Sequence, residues 1–244
     1  MIALIDFDLV VYRCSASAEN EEFHIAKSRV DDLLDNIIIK TEADSYIGYL
    51  TGESSFRKSI YPEYKANRTQ PKPKWLSDLR QYAMDYLGVV IAKDGLEADD
   101  ELGINQNHDT VICSLDKDLL QIAGHHFQWS IGTLKWSKPD IYITQTELEG
   151  WRRFYQQCLK GDKSDNIKGI EGVGEKKAEK LLAKCSTDKE MFDVVREMYG
   201  NDDEFKMNAS CLYILRGYDD SFDKVFERNA SGNNSDETHN SDDN

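Results

Sequence analysis

The amino-acid sequence predicts an α/β fold, in which a mostly parallel sheet with helices on both faces is followed by a smaller helical region. Short apolar runs of strand length alternate with segments whose apolar residues recur every three or four positions. Alternating strands and helices form parallel sheets that are covered on both faces. After about residue 146 this alternation stops, and several helical patterns follow one another.

The predicted strands are the apolar runs at 2–5, 45–50, 88–92, 110–114 and about 127–131. Helical periodicity precedes the second and third strands, at Val30, Leu33, Leu34, Ile37 and Ile38 and then at Leu76, Leu79, Tyr82, Ala83, Tyr86 and Leu87. The second region has an aromatic stripe at Trp151, Phe154, Tyr155 and Leu159, and helical segments at 175–184, about 188–199 and about 203–216. These patterns predict a sheet domain at 1–145 and a helical region at 146–218.

Composition indicates a soluble protein. The chain has 244 residues, its hydrophobic content is 40%, and it has no apolar run near the length of a membrane span. Its start, MIALIDFD, has no basic segment before the apolar run, so it is not typical of a signal peptide and we expect a cytoplasmic protein without membrane partners. Five scattered cysteines without a C-x-x-C pair indicate neither a disulfide framework nor a zinc site.

Charge is distributed unevenly along the chain. The formal net charge of −15 alone argues against a nucleic-acid partner. Part of this acidity lies in residues 229–244, a polar segment predicted to be a disordered acidic tail because it lacks the large apolar side chains that would offset the entropy of ordering. Residues 57–80, in contrast, carry seven Lys or Arg and two acidic residues. A basic surface for nucleic acid is therefore compatible with the acidic total.

Four sets of carboxylates lie where apolar runs or helical segments begin or end: Asp6 with Asp8; Glu97, Asp99 and Asp100; Asp116 with Asp118; and Asp162 with Asp165. Each pair alone is also typical of a helix cap or a solvated turn. Because ligands bind at the carboxyl ends of parallel strands, the sets are expected to converge. Gathered carboxylates repel one another unless cations neutralise them. Oxygen ligands without His or Cys favour Mg²⁺ or Mn²⁺, and two such ions can support phosphodiester cleavage.

Spacing predicts which of these carboxylates point together. Residues two apart on a strand share a face, so each Asp-x-Asp pair is expected to direct both carboxylates to one place. In GLEADD, Glu97 and Asp100 are three apart and are expected to share a helix face, with Asp99 turned aside.

Two basic segments are candidates for binding nucleic acid. In SFRKSIYPEYKANR, the cations Arg57, Lys65 and Arg68 would contact phosphates, and Tyr61 or Tyr64 would stack on an unpaired base. In IKGIEGVGEKKAEKLL, a glycine turn precedes a lysine-bearing helix, which together can hold backbone phosphates. Its residues are Gly169, Gly172 and Gly174, and then Lys176, Lys177, Lys180 and Lys184. A solvated basic loop and an ordinary surface helix remain the alternatives.

Together these segments resemble a known family. The motifs LIDFD, FRK with YKANR, LEADD, SLDKDLLQI and KGDKSDNIKGIEGVGEKKAEKLL are similar to those of the metal-dependent 5′-nucleases, which include flap endonucleases and the 5′-nuclease domain of bacterial polymerase I. The match runs from about residue 1 to 216, and its spacing is most similar to the gene 6 5′-3′ exonucleases of short-tailed phages. The resemblance implies a PIN-like nuclease core. It also implies a helix-three-turn-helix element at about 158–184, which holds duplex DNA and in many relatives a K⁺ ion.

The resemblance also implies roles for individual residues. The first metal ion would be held by Asp6, Glu97, Asp99 and Asp100, and the second by Asp116, Asp118, Asp162 and Asp165. Lys65 and Arg68 match the cations that orient the scissile phosphate, and no metal ligand is implied at Asp8. Relatives carry an aspartate shortly before the FRK motif, where this chain has Gly52 followed by Glu53.

The expected function is Mg²⁺-dependent 5′-3′ exonuclease activity on duplex DNA with a 5′ end, nick or flap, with the RNA of RNA-DNA hybrids as a further substrate to consider. We expect a monomer, with replication proteins as candidate partners. Three alternatives stay open: a structure-specific flap endonuclease, a DNA-end-binding protein whose catalysis is impaired by Gly52, and a small ribonuclease with the same type of sheet.

Overall fold

A computed structural model describes residues 1–133 and 136–231. A six-stranded sheet has the order β3-β2-β1-β4-β5-β8, and only β8 runs antiparallel to its neighbour. Its strands are β1 (Ile2–Asp6), β2 (Ser45–Leu50), β3 (Val90–Ile91), β4 (Thr110–Cys113), β5 (Gly124–Gln128) and β8 (Ile141–Gln145). The predicted mostly parallel α/β fold is confirmed. Two small hairpins pair β6 (Ile131–Thr133) with β7 (Trp136–Lys138), and β9 (Gly161–Asp162) with β10 (Ile167–Lys168).

Ten helices follow in chain order within the described residues. They are α1 (Phe7–Ser17), α2 (Phe23–Thr41), the short α3 (Arg57–Ile60), α4 (Leu76–Tyr86), α5 (Ala98–Asn105), α6 (Glu147–Lys160), α7 (Glu175–Leu182), α8 (Asp188–Tyr199), α9 (Asp202–Leu212) and α10 (Phe222–Ala230). Within these residues, no helix is both long and apolar enough to cross a membrane.

Both faces of the sheet are buried, as β1 illustrates. Ala3 and Ile5 belong to an apolar cluster with α1, α2 and α4 on one face. Leu4, between them, belongs to a second cluster with α5 on the other face. Because both faces are covered, the strand consists of consecutive apolar residues rather than an alternating pattern. It ends at Asp6, where the carboxyl ends of the strands meet the helical region.

Three sequence predictions about elements need correction. Helix α1 was not predicted, so Asp8 lies in the first turn of a helix rather than at the end of a strand. The strand predicted at about 127–131 is β5, which begins at Gly124, and β8 was missed. Helix α10 continues the folded chain beyond residue 218, because Phe222 and Phe226 pack in the aromatic core of the helical region. The tail predicted at 229–244 therefore begins too early, and residues 232–244 lie outside the described residues.

Candidate functional site

A cavity of about 580 Å³ lies beyond the carboxyl ends of β1, β2 and β4. Eight carboxylates line it: Asp6, Asp8, Glu53, Glu97, Asp99, Asp116, Asp118 and Asp165. Three cations, Lys58, Lys65 and Arg68, line it as well. All four sequence-predicted carboxylate sets therefore contribute to one cavity.

Ser114 joins the ends of β1 and β4. Asp6 caps α1 by accepting a hydrogen bond from the Leu9 amide (3.1 Å), and its other oxygen accepts one from Ser114 Oγ (2.8 Å). The same hydroxyl accepts a hydrogen bond from the Asp116 amide (3.0 Å), and the Asp118 amide donates to Asp116 Oδ1 (2.8 Å). These carboxylates converge through turns and caps rather than through strand alternation, which corrects the predicted reason. Sequence reasoning missed Ser114, whose position directly after a buried strand was the available signal.

Burial and mutual repulsion shift the acidity of these groups. Burial, and then the charge of Asp8, raises the pKa of Asp6 to about 7. Burial, and then Asp116, raises the pKa of Asp118 to about 7. Burial followed by Asp6 raises the pKa of Asp99 well above its usual range. The cavity therefore favours positive charge, which a divalent cation would supply.

Glu97 and Asp100 both contact Arg57, but only Glu97 lines the cavity. Burial acts to raise the pKa of Glu97, but Arg57 and Lys65 outweigh it and hold the pKa below its usual range. Asp100 is fully buried, and Arg57 binds both its oxygens, at 2.7 Å each. The cavity is lined instead by Asp99. This arrangement contradicts the prediction that Asp100 binds a metal ion.

Two residues predicted to bind DNA are buried. Arg57 is 2% exposed and is paired with Asp100, so it does not present its guanidinium to a phosphate. Tyr64 is 3% exposed, and its ring belongs to the apolar core of the helical region, so stacking on a base is contradicted. Its hydroxyl lies 3.1 Å from both Glu97 Oε2 and Asp165 Oδ2. Tyr64 therefore helps to hold the carboxylates.

Lys65 and Arg68 lie in the cavity among the carboxylates. Lys65 Nζ is 2.7 Å from Glu97 Oε2 and 3.9 Å from Asp165 Oδ2. Arg68 pairs with the other oxygen of Asp165. These cations offset part of the negative charge, and they are accessible to a ligand that enters the cavity.

Asp162 lies at the edge of this site. It accepts hydrogen bonds from the Ser164 amide and hydroxyl, at 2.6 Å each. Burial acts to raise its pKa, but these bonds outweigh it and lower the pKa. Its charge is near enough to contribute to the raised pKa values of Asp116 and Asp118.

Arg80 is a further residue that sequence reasoning missed. It pairs with Asp8 and donates to the Thr51 carbonyl (2.5 Å). Asp8 also accepts a hydrogen bond from the Thr51 amide (2.8 Å). Gly52, the next residue, lines the cavity, and a Cβ atom there would lie 3.3 Å from Ile91 Cγ2.

The glycine turn and lysine helix lie on the surface, outside this cavity. Gly172 has a left-handed φ of +73°, and Gly174 is the N-cap of α7. The three lysines of the predicted DNA-binding set are exposed along α7: Lys176, Lys177 and Lys180. Gly169 has a different role from the predicted phosphate contact, because a Cβ atom there would lie 2.1 Å from the Lys160 carbonyl carbon. That glycine permits close backbone packing.

The donor set of the cavity fits a hard divalent cation, because every carboxylate supplies oxygen. In residues 1–133 and 136–231, no three His, Cys, Asp or Glu side chains are already spaced to hold a metal ion. Lys65 lies between Glu97 and Asp165 instead. Metal binding therefore requires the carboxylates to turn toward a common centre.

A family model described as the 5′-3′ exonuclease N-terminal resolvase-like domain matches residues 2–149. The chain belongs to the 5′-3′ exonuclease family. Members of this family with similar sequences include DNA polymerase I of Caldicellulosiruptor bescii, 36% identical over 167 residues that make up 62% of this chain and 19% of that protein. The 5′-3′ exonuclease of Bacillus subtilis is 31% identical over 149 residues, 56% of this chain and 50% of that protein. The chain thus spans about a fifth of the polymerase.

Solved structures extend the likeness to the fold. A pseudo-enzyme–product complex of the bacteriophage T5 flap endonuclease with DNA and metal ions has a TM-score of 0.62 and 15% identity, covering 94% of this chain and 98% of that one. The catalytic core of Rad2 with a DNA substrate has a TM-score of 0.51 and 10% identity, covering 95% and 72%. At these identities the likeness concerns the fold, and the PIN-like 5′-nuclease fold implied by the motifs is confirmed.

Proposed function

We propose that this 5′-3′ exonuclease family member hydrolyses phosphodiester bonds of DNA from 5′ ends in a Mg²⁺-dependent reaction. The observation that carries the proposal is the convergence of eight carboxylates with Lys65 and Arg68 in one cavity. A carboxylate cavity repels a nucleic-acid backbone unless cations are bound, so metal and substrate are expected to depend on each other. Mn²⁺ is expected to replace Mg²⁺.

The proposed ligands of a first ion are Asp6, Glu97 and Asp99, and those of a second ion are Asp116, Asp118, Asp162 and Asp165. When bound, such ions supply an activated water and neutralise the charge that develops on the leaving oxygen. The pKa values of Asp6, Asp99, Asp116 and Asp118 are raised, first of all by burial, so a bound metal ion is expected to displace protons from these carboxylates.

Lys65 and Arg68 are proposed to bind the scissile phosphate. Their ammonium and guanidinium groups would exchange Glu97 and Asp165 for the non-bridging phosphate oxygens when these carboxylates turn toward the metal ions. Donors held in place before the reaction stabilise the charge of the transition state more effectively than water does.

The surface at Gly172, Gly174 and α7 is the proposed contact to duplex DNA beyond the cavity. Exposed amides at a helix start favour phosphate oxygens, and the α7 lysines add positive charge. The same proposal includes a K⁺ ion at this helix-three-turn-helix element and a monomeric state. It also includes RNA-DNA hybrids as substrates and replication proteins as partners.

A second candidate function is a structure-specific flap endonuclease. The segment between α3 and α4 lines the cavity, and it bonds to the loop between β9 and β10 through Lys65 N to Asp165 O (3.0 Å) and Asn67 Nδ2 to Lys163 O (2.6 Å). A segment held in this way would favour strands that enter the cavity by a free 5′ end, and both functions use such an end.

The proposed activity is tested with a 5′-labelled nicked duplex incubated with Mg²⁺ or with EDTA. Release of short 5′ products only with Mg²⁺ or Mn²⁺, and its loss in Asp118→Asn with DNA binding retained, would support the exonuclease. Cleavage only at the junction of a flapped duplex would favour the endonuclease. Cleavage in EDTA, or binding without cleavage under either metal, would contradict both.

A further inference from the structure

Arg57 is buried near the site, and all three of its guanidinium nitrogens donate hydrogen bonds. Its Nη1 and Nη2 atoms donate to the two oxygens of Asp100, at 2.7 Å each. Its Nε donates to the Cys211 carbonyl (3.0 Å), and Nη2 also donates to the Tyr213 carbonyl (2.7 Å). One side chain thus connects α3, the start of α5 and the end of α9.

Asp100 transmits this connection to the cavity. Its Oδ2 accepts a hydrogen bond from the Glu97 amide (3.0 Å), and the two residues form a capping box at the start of α5. Its Oδ1 also accepts one from the Leu215 amide (3.3 Å). The Asp100 carboxylate therefore fixes the start of α5, where Glu97 and Asp99 lie, and Arg57 binds that carboxylate on the side away from the cavity.

We propose that Arg57 is a positioning residue, which acts through Asp100 to hold Glu97 and Asp99 in the orientation that binds the divalent ion. This inference rests on the proposed function. Arg57 Nη1 lies 3.9 Å from Glu97 Oε2, so the same guanidinium also contributes charge beside that carboxylate. Substitution of a residue that hydrogen-bonds to a metal ligand typically lowers metal affinity by about 10- to 100-fold.

The substitution Arg57→Lys distinguishes the effect of the positive charge at this position from the effect of the hydrogen-bond geometry. Arg57→Lys keeps a cation beside Asp100, but a single ammonium cannot reproduce the fork that binds both carboxylate oxygens and two carbonyls. If Arg57 positions the site, this variant should bind Mn²⁺ about ten-fold more weakly or worse. If Asp100 were itself a metal ligand restrained by Arg57, loosening it would strengthen Mn²⁺ binding.

The double variant Arg57→Met with Asp100→Leu separates positioning from stability. Replacing both members of a buried pair by apolar residues leaves no unpaired charge, so folding is expected to be retained. The Glu97 amide loses its acceptor in this variant. Its Mn²⁺ affinity should therefore be lower than that of wild type even when the two urea midpoints are close. Arg196→Lys is the matched control, because Arg196 pairs with Asp202 through Nε (2.7 Å) and Nη2 (2.5 Å) away from the cavity.

The experiment is calorimetric titration of each full-length variant with MnCl₂, combined with urea unfolding in EDTA. Weakened Mn²⁺ binding in Arg57→Lys and in the double variant, with Arg196→Lys unchanged, is the expected result. Wild-type affinity in Arg57→Lys, or tighter binding, overturns the inference even if the double variant does not fold. If wild type itself takes up no Mn²⁺, the proposed function fails, which is a separate outcome.

Discussion

The ammonium nitrogen of Lys65 lies 2.7 Å from Glu97 Oε2, inside a cavity that seven further carboxylates line. The pair joins a cation proposed to bind phosphate to a carboxylate proposed to bind metal. Lys65 cannot bind Glu97 and a phosphate oxygen equally well at the same time, and Glu97 cannot fully bind both Lys65 and a metal ion. Binding of substrate and metal is therefore expected to break this contact.

Replacing Lys65 with alanine should lower the cleavage rate by about 100- to 1,000-fold, the usual cost of losing one preorganised donor to a developing charge. Binding of Mn²⁺ should become tighter, since a competing cation is removed from Glu97. Single-turnover rates and Mn²⁺ titrations measure the two effects. Lys40→Ala, which removes an ion pair with Asp140 away from the cavity, is the control. Loss of cleavage with weaker Mn²⁺ binding would instead indicate that Lys65 supports the ligands.

The substitution Gly52→Asp should strengthen metal binding. Gly52 lines the cavity, and a Cβ atom there would lie 3.3 Å from Ile91 Cγ2 and 4.0 Å from Ala92 O, so the substitution requires at most a small shift of the Ile91 side chain. We expect a gain in Mn²⁺ affinity of about ten-fold, comparable to one well-placed partner of a metal site.

Cleavage at limiting Mg²⁺ should rise in parallel with this affinity. Gly52→Asn controls for size without charge. If the aspartate variant equals wild type in Mn²⁺ affinity and in rate, Glu53 already supplies the missing carboxylate.

DNA affinity should fall steeply with salt, and the lysines of α7 should carry part of that dependence. Each phosphate contact contributes about 0.9 to the slope of log affinity against log salt. Removing Lys176 and Lys180 together should therefore reduce the slope by nearly twice that amount, without changing the metal site. Fluorescence anisotropy in Ca²⁺ at several salt concentrations measures it. Lys189→Ala, on α8 in a pair with Asp193, should leave the slope unchanged; an unchanged slope in the α7 variant would remove α7 from the interface.

Asp118 should reduce the stability of the metal-free protein above neutral pH. Burial raises its folded-state pKa to about 7 from an ordinary value of 3.8, so the folded state disfavours the charged form. Its contribution to the free energy of unfolding is therefore favourable below about pH 4 and is lost as the pH rises through 7.

Asp118→Asn removes this titration, so the variant should gain stability relative to wild type between pH 5 and pH 8. Urea unfolding in EDTA at both pH values measures the difference. The gain should be larger at pH 8 than at pH 5. A gain that is larger at pH 5 would contradict the assigned shift.

Much of the fold follows from local patterns in the sequence. Apolar runs mark β1, β2 and β4, and helical periodicity marks α2, α4 and α8. The convergence of the acidic sets was also predictable, because the carboxyl ends of parallel strands meet at one edge of a sheet. Helix α1 was missed because its start is an apolar run that continues directly from β1.

Spacing alone did not predict which acidic residues line the cavity and which are buried in ion pairs. Asp99 lines the cavity and Asp100 does not, because Arg57, 43 residues earlier in the chain, binds Asp100 in the interior. Tyr64 is likewise placed by the aromatic core of the helical region, which no local pattern reveals. Such roles depend on contacts between distant segments.

The central claim is that divalent ions are held by carboxylates brought together from distant parts of the chain. Titration of the metal-free protein with MnCl₂ in a calorimeter tests it most directly. The account predicts uptake of two ions, with binding strongly weakened when Asp99 and Asp116 are both changed to asparagine. An absence of Mn²⁺ uptake by the folded wild-type protein, or equal uptake by that double variant, would contradict it.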